Sequence, residues 1–245
     1  MDKPLFNRLE KTPAYKVVSD ALEQAILQRQ IKTGDALPTE ENLATQFGVN
    51  RSTVREGIRH MEQTGFVQRK GKKLIVSRPS YDLVGHQMSK VLILNDVTFE
   101  ELWQVKMVLE PLSAQLAATN ASDDLINRMA KNIEVMTKAL ENEEDLVALD
   151  IEFHVFIAEA ANNQALVMAR EALAQLFYPA YQASMFSEVS GQRLLDAHKH
   201  IFKAIKNRDP VTAGEWMRKH IIDFKRGYEI AGLDANKPVS NDTRT

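Results

Sequence analysis

The 245-residue chain contains no cysteine, only 10 glycines and 7% aromatic residues. Without cysteine there can be no disulfide, no thiol nucleophile and no thiolate metal ligand. No apolar run approaches the about 20 residues that a membrane helix needs. The opening Met1-Asp2-Lys3-Pro4-Leu5-Phe6-Asn7-Arg8 has no signal-peptide core. A soluble, cytoplasmic protein without a membrane partner is expected. Glycine is scarcest late in the chain, where only Gly191, Gly214 and Gly227 fall between residues 86 and 231. That scarcity, with apolar residues at helical spacing, predicts a bundle of about six or seven long helices. Neither sign of charge dominates, since the formal net charge is −2, but the charge is unevenly placed. Residues 1–80 hold 14 Lys+Arg against 9 Asp+Glu, and residues 81–245 hold 17 against 24. A basic end on an acidic remainder suggests that the first part alone meets a polyanion. The length suits two domains, and 44% apolar content suffices for two cores.

The segment from Leu37 to Val67 reads as two short helices joined by a tight turn. Pro38 and Thr39 sit where the first of them starts, and Leu43, Ala44 and Phe47 share one face. Gly48 stops that helix, and Asn50 is a good N-cap for the next. Val54, Ile58 and Met61 form the buried face of the second helix, leaving Arg51, Ser52, Thr53, Arg55 and Arg59 free to face outward. Gly65 ends it. The apolar runs Phe66-Val67-Gln68 and Leu74-Ile75-Val76 flank a basic turn, Arg69-Lys70-Gly71-Lys72-Lys73, and read as a hairpin wing. Such a winged helix-turn-helix places its second helix in the major groove of DNA. A surface helical hairpin with incidental arginines is the bland alternative.

Gly34-Asp35-Ala36-Leu37-Pro38-Thr39-Glu40 and Gly48-Val49-Asn50-Arg51-Ser52-Thr53-Val54-Arg55-Glu56 closely resemble the N-terminal domain of GntR-type bacterial transcription regulators. The resemblance covers about residues 12–78. It implies that Arg51 and Arg55 contact guanines and phosphates. It also implies that Asn50, Ser52 and Thr53 hold the DNA backbone and that Gly71 of the wing, between Lys70 and Lys72, enters the minor groove. Many relatives carry arginine one residue after the glutamate of the Leu-Pro-x-Glu motif, whereas this chain has Glu41. One DNA contact of those relatives is therefore expected to be missing or replaced.

Asp150-Ile151-Glu152-Phe153-His154 puts a carboxylate and an imidazole one turn apart on one helix face. His198 and His220 follow in later predicted helices. Carboxylates and imidazoles bind divalent metals, but this spacing alone equally describes a surface pair. Asp150-x-x-Phe153-His154, Ala160-x-Asn162-Asn163, His198-x-x-Ile201-x-x-Ala204-Ile205, Asp209-x-x-x-Ala213, Met217 and His220 together look like the all-helical effector domain of the FadR subfamily, the FCD type. This resemblance spans about residues 100–230. It implies that Asp150, His154, His198 and His220 hold one divalent ion, zinc, with nickel or manganese as alternatives. Open positions on the ion would take water or an effector carboxylate. His200 rivals His198, but the Ile201/Ala204-Ile205 register favours His198. Lys106, Arg193 and Asn162 are the candidate effector-binding residues, with an ordinary surface charge the alternative for the two cations. Lysine at 106, where many relatives have arginine, keeps the charge but loses the two-pronged carboxylate grip.

The expected fold is mainly α. A winged helix-turn-helix occupies residues 1–78, a linker 79–88, a helical effector and dimerisation domain 89–234, and a disordered tail 235–245. Thr12-Pro13, the capping box Thr98-Phe99-Glu100-Glu101, Ser122 and Asp209-Pro210 mark helix starts. The methionines are read as core fillers. The implied activity is that of a DNA-binding regulator, a repressor, and not an enzyme; the alternatives are a regulator whose metal is purely structural, with no carboxylate effector, or a metal-dependent enzyme using Asp150 and the histidines. The regulator would act as a homodimer on operator DNA and respond to a small organic acid.

Overall fold

The computed structural model describes residues 12–184 and 188–239. The chain forms two compact units that divide between Leu83 and Val84.

The first unit contains α1 (Ala14–Leu27), α2 (Glu40–Phe47), α3 (Arg51–Gln63) and a hairpin of β1 (Val67–Lys70) and β2 (Lys73–Val76). Val18 and Leu22 of α1, Leu43 of α2, Val54, Ile58 and Met61 of α3, and Val67, Leu74 and Val76 of the hairpin make one core. Each large side chain so buried contributes about 1.5–3 kcal/mol. Helices α1 and α3 cross closely at Gly57, where a Cβ would lie 3.0 Å from the carbonyl oxygen of Tyr15. Thr39 caps α2 by accepting from the Asn42 amide, and Gly48 ends it at φ +66°. α1 starts one residue later than its sequence signal. Pro13 takes the cap position, and no side chain bonds there. The 34–37 segment lies along β2, with the Leu37 amide donating to the Leu74 carbonyl.

The second unit is helical. It comprises α4 (Tyr81–Leu94), α5 (Phe99–Asn120), α6 (Asp123–Glu141), α7 (Val147–Ala160), α8 (Gln164–Ser184), α9 (Glu188–Lys206) and α10 (Pro210–Ile230). Its start signals act as read. Thr98 and Glu101 form a reciprocal capping box, Ser122 accepts from the Leu125 amide, and Asp209 accepts from that of Thr212. Helix α5 packs most extensively against α10 and also touches α7, α8 and α9. A main core around Met129, Met136, Phe153, Ile157, Ile201 and Met217 sits beside a second apolar layer of Phe99, Leu102, Phe177 and Phe224. Helix α7 has little amphipathic character because its neighbours bury it nearly all round.

Two expectations need correction. Most of the expected linker 79–88 is helical from Tyr81. The Ser80 hydroxyl accepts from the Leu83 amide, and the chain continues as α4 to Leu94. The expected tail begins as ordered chain. Ala235 is buried, its carbonyl accepts from the Glu100 amide, and the Val239 amide donates to the Val97 carbonyl. The polar composition that suggested disorder hid those two apolar anchors; residues 240–245 lie outside the described residues. Met88 and Met168 are exposed rather than core-filling, and Met185 lies outside the described residues.

Candidate metal centre and DNA-binding surface

Helices α7, α9 and α10 converge on one buried point. Asp150 and His154 point there from successive turns of α7, His198 from α9 and His220 from α10. One ligand atom from each lies within 4.8 Å of the others. Asp150 Oδ1 stands 3.0 Å from His198 Nε2, 3.7 Å from His220 Nε2 and 3.8 Å from His154 Nε2. The Nε2 atoms of His154 and His220 are 3.1 Å apart. Zinc–nitrogen and zinc–oxygen bonds of about 2.0–2.2 Å put tetrahedral ligand atoms roughly 3.3–3.6 Å from one another. The four side chains therefore have the spacing of a ligand set. Apart from the 3.0 Å approach of Asp150 Oδ1 to His198 Nε2, which lacks hydrogen-bond alignment, neither oxygen of Asp150 nor either ring nitrogen of His198 meets a partner, although all are buried. Orphaned buried polar atoms are costly, and a cation would satisfy Asp150 and His198 Nε2 together.

Protonation fits as well. Burial alone would raise the Asp150 carboxyl, but His154, His198 and His220 hold it below the ordinary aspartate range. Burial pushes the His198 imidazole down, against the opposing pull of Asp150. Burial, with His198 adding to it, holds His220 well below the usual histidine value. At neutral pH the cluster offers an ionised carboxylate beside neutral imidazoles on His198 and His220, the forms in which these groups bind metal.

The supporting residues come from α5 and α8. Glu110 Oε2 lies 2.9 Å from His154 Nδ1. Burial would raise the Glu110 carboxyl, but Arg170, then His154 and Lys106, hold it well below the carboxylate range. An ionised Glu110 accepts a hydrogen bond from Nδ1–H, so His154 keeps its Nε2 lone pair for the cluster. Arg170 Nε donates to the other Glu110 oxygen at 3.0 Å, and Lys106 Nζ lies 3.5 Å from it. Sequence reasoning gave Glu110 and Arg170 no role. The only available signal was Glu110 four residues after Lys106 in a helix otherwise poor in charge.

The candidate effector residues scatter. Lys106 is buried, 4.8 Å from the Phe177 ring centroid, and burial, partly offset by Glu110, lowers its pKa. Arg193 is half-exposed on α9 and donates to Asp223 at 3.0 Å. It lines a small cavity between α9 and α10 that His220, Asp223 and Phe224 also line. Asn162 is not brought to the cluster. It follows the C-terminal end of α7, exposed, at φ +52°, eight residues and so about 12 Å of helix beyond His154. Asparagine there supplies the left-handed turn. His200 stacks on Trp216 at 3.8 Å and stays apart from the cluster.

The basic surface is on the first unit. Asn50 Oδ1 accepts from the Thr53 amide at 2.8 Å, capping α3, and from the hydroxyls of Ser52 and Thr53. Arg51 and Arg55 project from the first turns of α3, both more than half exposed, and both approach Glu40 of α2, at 3.8 and 3.2 Å. Glu40 thus gathers the two guanidinium groups, a role the sequence reading did not give it. Arg59 is exposed further along α3. At the wing tip, Lys70 and Lys73 pair across a two-residue turn of Gly71 and Lys72, with Gly71 at φ +60°. Arg69 bonds Glu62 and ties the wing to α3.

Residues 14–75 match the family model described as bacterial regulatory proteins, gntR family, and residues 101–223 match the FCD domain. The chain is 27% identical over 228 residues to the HTH-type transcriptional repressor NanR of Escherichia coli K12, covering 91% of this chain and 87% of NanR. It is 28% identical over 212 residues to NanR of Cronobacter sakazakii, covering 84% and 82%. The solved structure of a Streptococcus agalactiae GntR protein superposes with a TM-score of 0.63 at 27% identity. The match covers 86% of this chain and 99% of that one.

Proposed function

The chain belongs to the GntR family of bacterial regulatory proteins and carries an FCD domain, and from that premise we propose that it is a cytoplasmic transcriptional repressor controlled by a small organic acid at a metal-containing site. The first unit is the DNA-binding domain, and the helical unit from Val84 is the effector and dimerisation domain. Two NanR repressors among its relatives support the sign of regulation. The observation that carries the metal assignment is the buried Asp150/His154/His198/His220 set with its orphaned polar atoms. Zinc is the proposed ion, with nickel or manganese as alternatives.

A divalent ion held there would supply a concentrated positive charge, and one that takes more than four ligands could also accept an anionic oxygen. The protein's own part is to keep the His198 and His220 imidazoles neutral, to orient His154 through Glu110, to exclude bulk water and to place Lys106 and Arg193 as added attraction for a carboxylate. Glu110 already neutralises part of Lys106, so the effector carboxylate shares that lysine with Glu110. At the DNA, Arg51 and Arg55 read base edges and phosphates, with Asn50, Ser52 and Thr53 at the helix start and Arg59, Lys70, Gly71 and Lys72 along the backbone and minor groove. Two such domains in a homodimer read two half-sites, which multiplies the discrimination one domain provides.

An effector shifts operator affinity only through its different affinity for two arrangements of the protein, typically about 5- to 150-fold. The test is a titration of the operator complex with small mono-, di- and hydroxycarboxylates, using wild type, Lys106→Ala, and a His154→Ala/His220→Ala double variant. Metal content near one ion per subunit in wild type, lost in the double variant together with the acid response, is expected. Equal metal in both, or an equal acid response in metal-free protein, would overturn the chelate mechanism.

A further inference from the structure

Among the described residues, every buried charged side chain falls in one network of the helical unit: Lys106 and Glu110 of α5, Asp150 of α7 and Arg170 of α8, together with the three buried histidines. Glu110 joins its two halves. Its Oε1 accepts from Arg170 Nε at 3.0 Å and faces Lys106 Nζ at 3.5 Å, while its Oε2 lies 2.9 Å from His154 Nδ1. One carboxylate thus serves two cations on one side and a candidate metal ligand on the other. Lys106, Glu110 and Arg170 also line a cavity between α5 and α8, walled by Leu109, Leu173 and Phe177. Its volume of about 10 Å³ is room for one water. An anion that enters must therefore take the cations from Glu110 rather than settle beside it. Arg193 lines the separate cavity between α9 and α10, where it donates to Asp223 at 3.0 Å.

We infer that Glu110 is a relay that makes anion and metal binding cooperative, with Arg170 of α8 as the cation that joins Lys106 in gripping the effector carboxylate; this rests on the effector reading above and gives the regulation of that same site. Hydrogen bonds to an ionised acceptor are roughly twice as strong as neutral ones, and such an outer partner raises the basicity of a metal-ligating imidazole. Arg170 and Lys106 draw on the Glu110 charge and weaken what it offers His154. A carboxylate on Arg170 and Lys106 takes over those cations, and the full Glu110 charge then falls on His154 Nδ1–H. Charge balance gives the same sign. With a divalent ion held by Asp150 and neutral imidazoles, Lys106, Arg170 and the ion carry four positive charges against the two negative ones of Glu110 and Asp150. An anion beside Arg170 relieves that excess where water screens it least. By reciprocity, the ion tightens the anion as much as the anion tightens the ion.

The experiment is chelator competition for zinc on the full-length protein, with sodium acetate compared against sodium chloride at equal ionic strength. Acetate should tighten zinc in wild type at least about 5-fold, the lower end of ordinary coupling, and should leave Glu110→Gln unchanged. Arg170→Gln should tighten zinc without acetate and remove the acetate effect. Arg170→Gln/Glu110→Gln should match Glu110→Gln, because Arg170 acts through Glu110; additive effects overturn the relay. Wild-type zinc affinity indifferent to acetate overturns it too. So does acetate tightening that persists in Glu110→Gln, which means that the acid ligates the ion directly. If Glu110→Gln does not fold, Arg170→Gln decides, and zinc affinity equal to wild type in that variant overturns the relay. Failure of the effector reading shows separately, as operator binding that no carboxylate moves, whatever the zinc result.

Discussion

Replacing Glu110 by glutamine isolates what the buried carboxylate does. The side chain keeps its volume and one carbonyl oxygen, and it loses its charge. In the native site that charge serves three partners: Arg170 at 3.0 Å, His154 at 2.9 Å and Lys106 at 3.5 Å. Glu110 is 2% exposed and Lys106 and Arg170 are nearly as buried, so water screens none of these pairs. Glutamine takes the carboxylate from beside two buried cations, of which Arg170 keeps Glu171 at 3.9 Å, and removing one partner of a buried pair costs about 3–5 kcal/mol. A second effect falls on the metal ligand. With glutamine, the hydrogen bond to His154 Nδ1 loses its charge assistance, and amide rotation can turn a donor toward the ring. Loss of such an outer partner lowers metal affinity about 10- to 100-fold, or roughly 1.4–2.7 kcal/mol. Stability is read by denaturant unfolding of metal-free protein and affinity by competition with a chromogenic chelator. Adding Lys106→Met to Glu110→Gln removes one of those buried cations and should recover part of the stability, giving a positive coupling in the double-mutant cycle. A Glu110→Gln protein within about 1 kcal/mol of wild type, with unchanged metal affinity, would refute the assignment of Glu110 as the group that orients His154.

The other expected outcomes concern DNA, pH and the C-terminal segment. Arg55→Ala should cost about 1–3 kcal/mol of operator binding and relax specificity, whereas Lys72→Ala should weaken all DNA alike and flatten the salt dependence; gel-shift titrations at several salt concentrations separate the two. His198 and His220 have folded pKa values below their unfolded ones. The unfolded chain therefore takes up protons below pH about 6.5 that the folded one refuses, and stability is lost as pH falls, by up to about 1.4 kcal/mol per pH unit for each histidine. Unfolding midpoints of metal-free protein at successive pH values between neutral and mildly acidic should drop accordingly, and a flat profile would contradict the burial of neutral imidazoles. Ending the chain after Asp234 removes buried Ala235 and two backbone hydrogen bonds to residues 97–100; a loss of about 1–3 kcal/mol is expected from thermal or denaturant melts.

Local signals in the sequence determined a good deal here. The Asn50 cap, Gly48, the α3 stripe and the basic hairpin are short-range features whose physics is complete within a few residues, so the winged helix was legible. The capping box at Thr98 and the caps at Ser122 and Asp209 were legible for the same reason. Asp150 and His154 shared a helix face by spacing, but only resemblance joined them to His198 and His220. Their meeting depends on the mutual packing of α7, α9 and α10, which no local pattern encodes. Tertiary structure alone gave Glu110 and Arg170 their roles, because a buried charge looks like a surface charge until its partners on other helices are known. It also moved Asn162 away from the cluster, since the distance along α7 outweighs its place in a motif. The tail followed the same rule. Residues 235–239 read as polar, yet Ala235 and Val239 find an apolar layer and free backbone groups built by α5, α8 and α10, and a chain segment is ordered by what it meets.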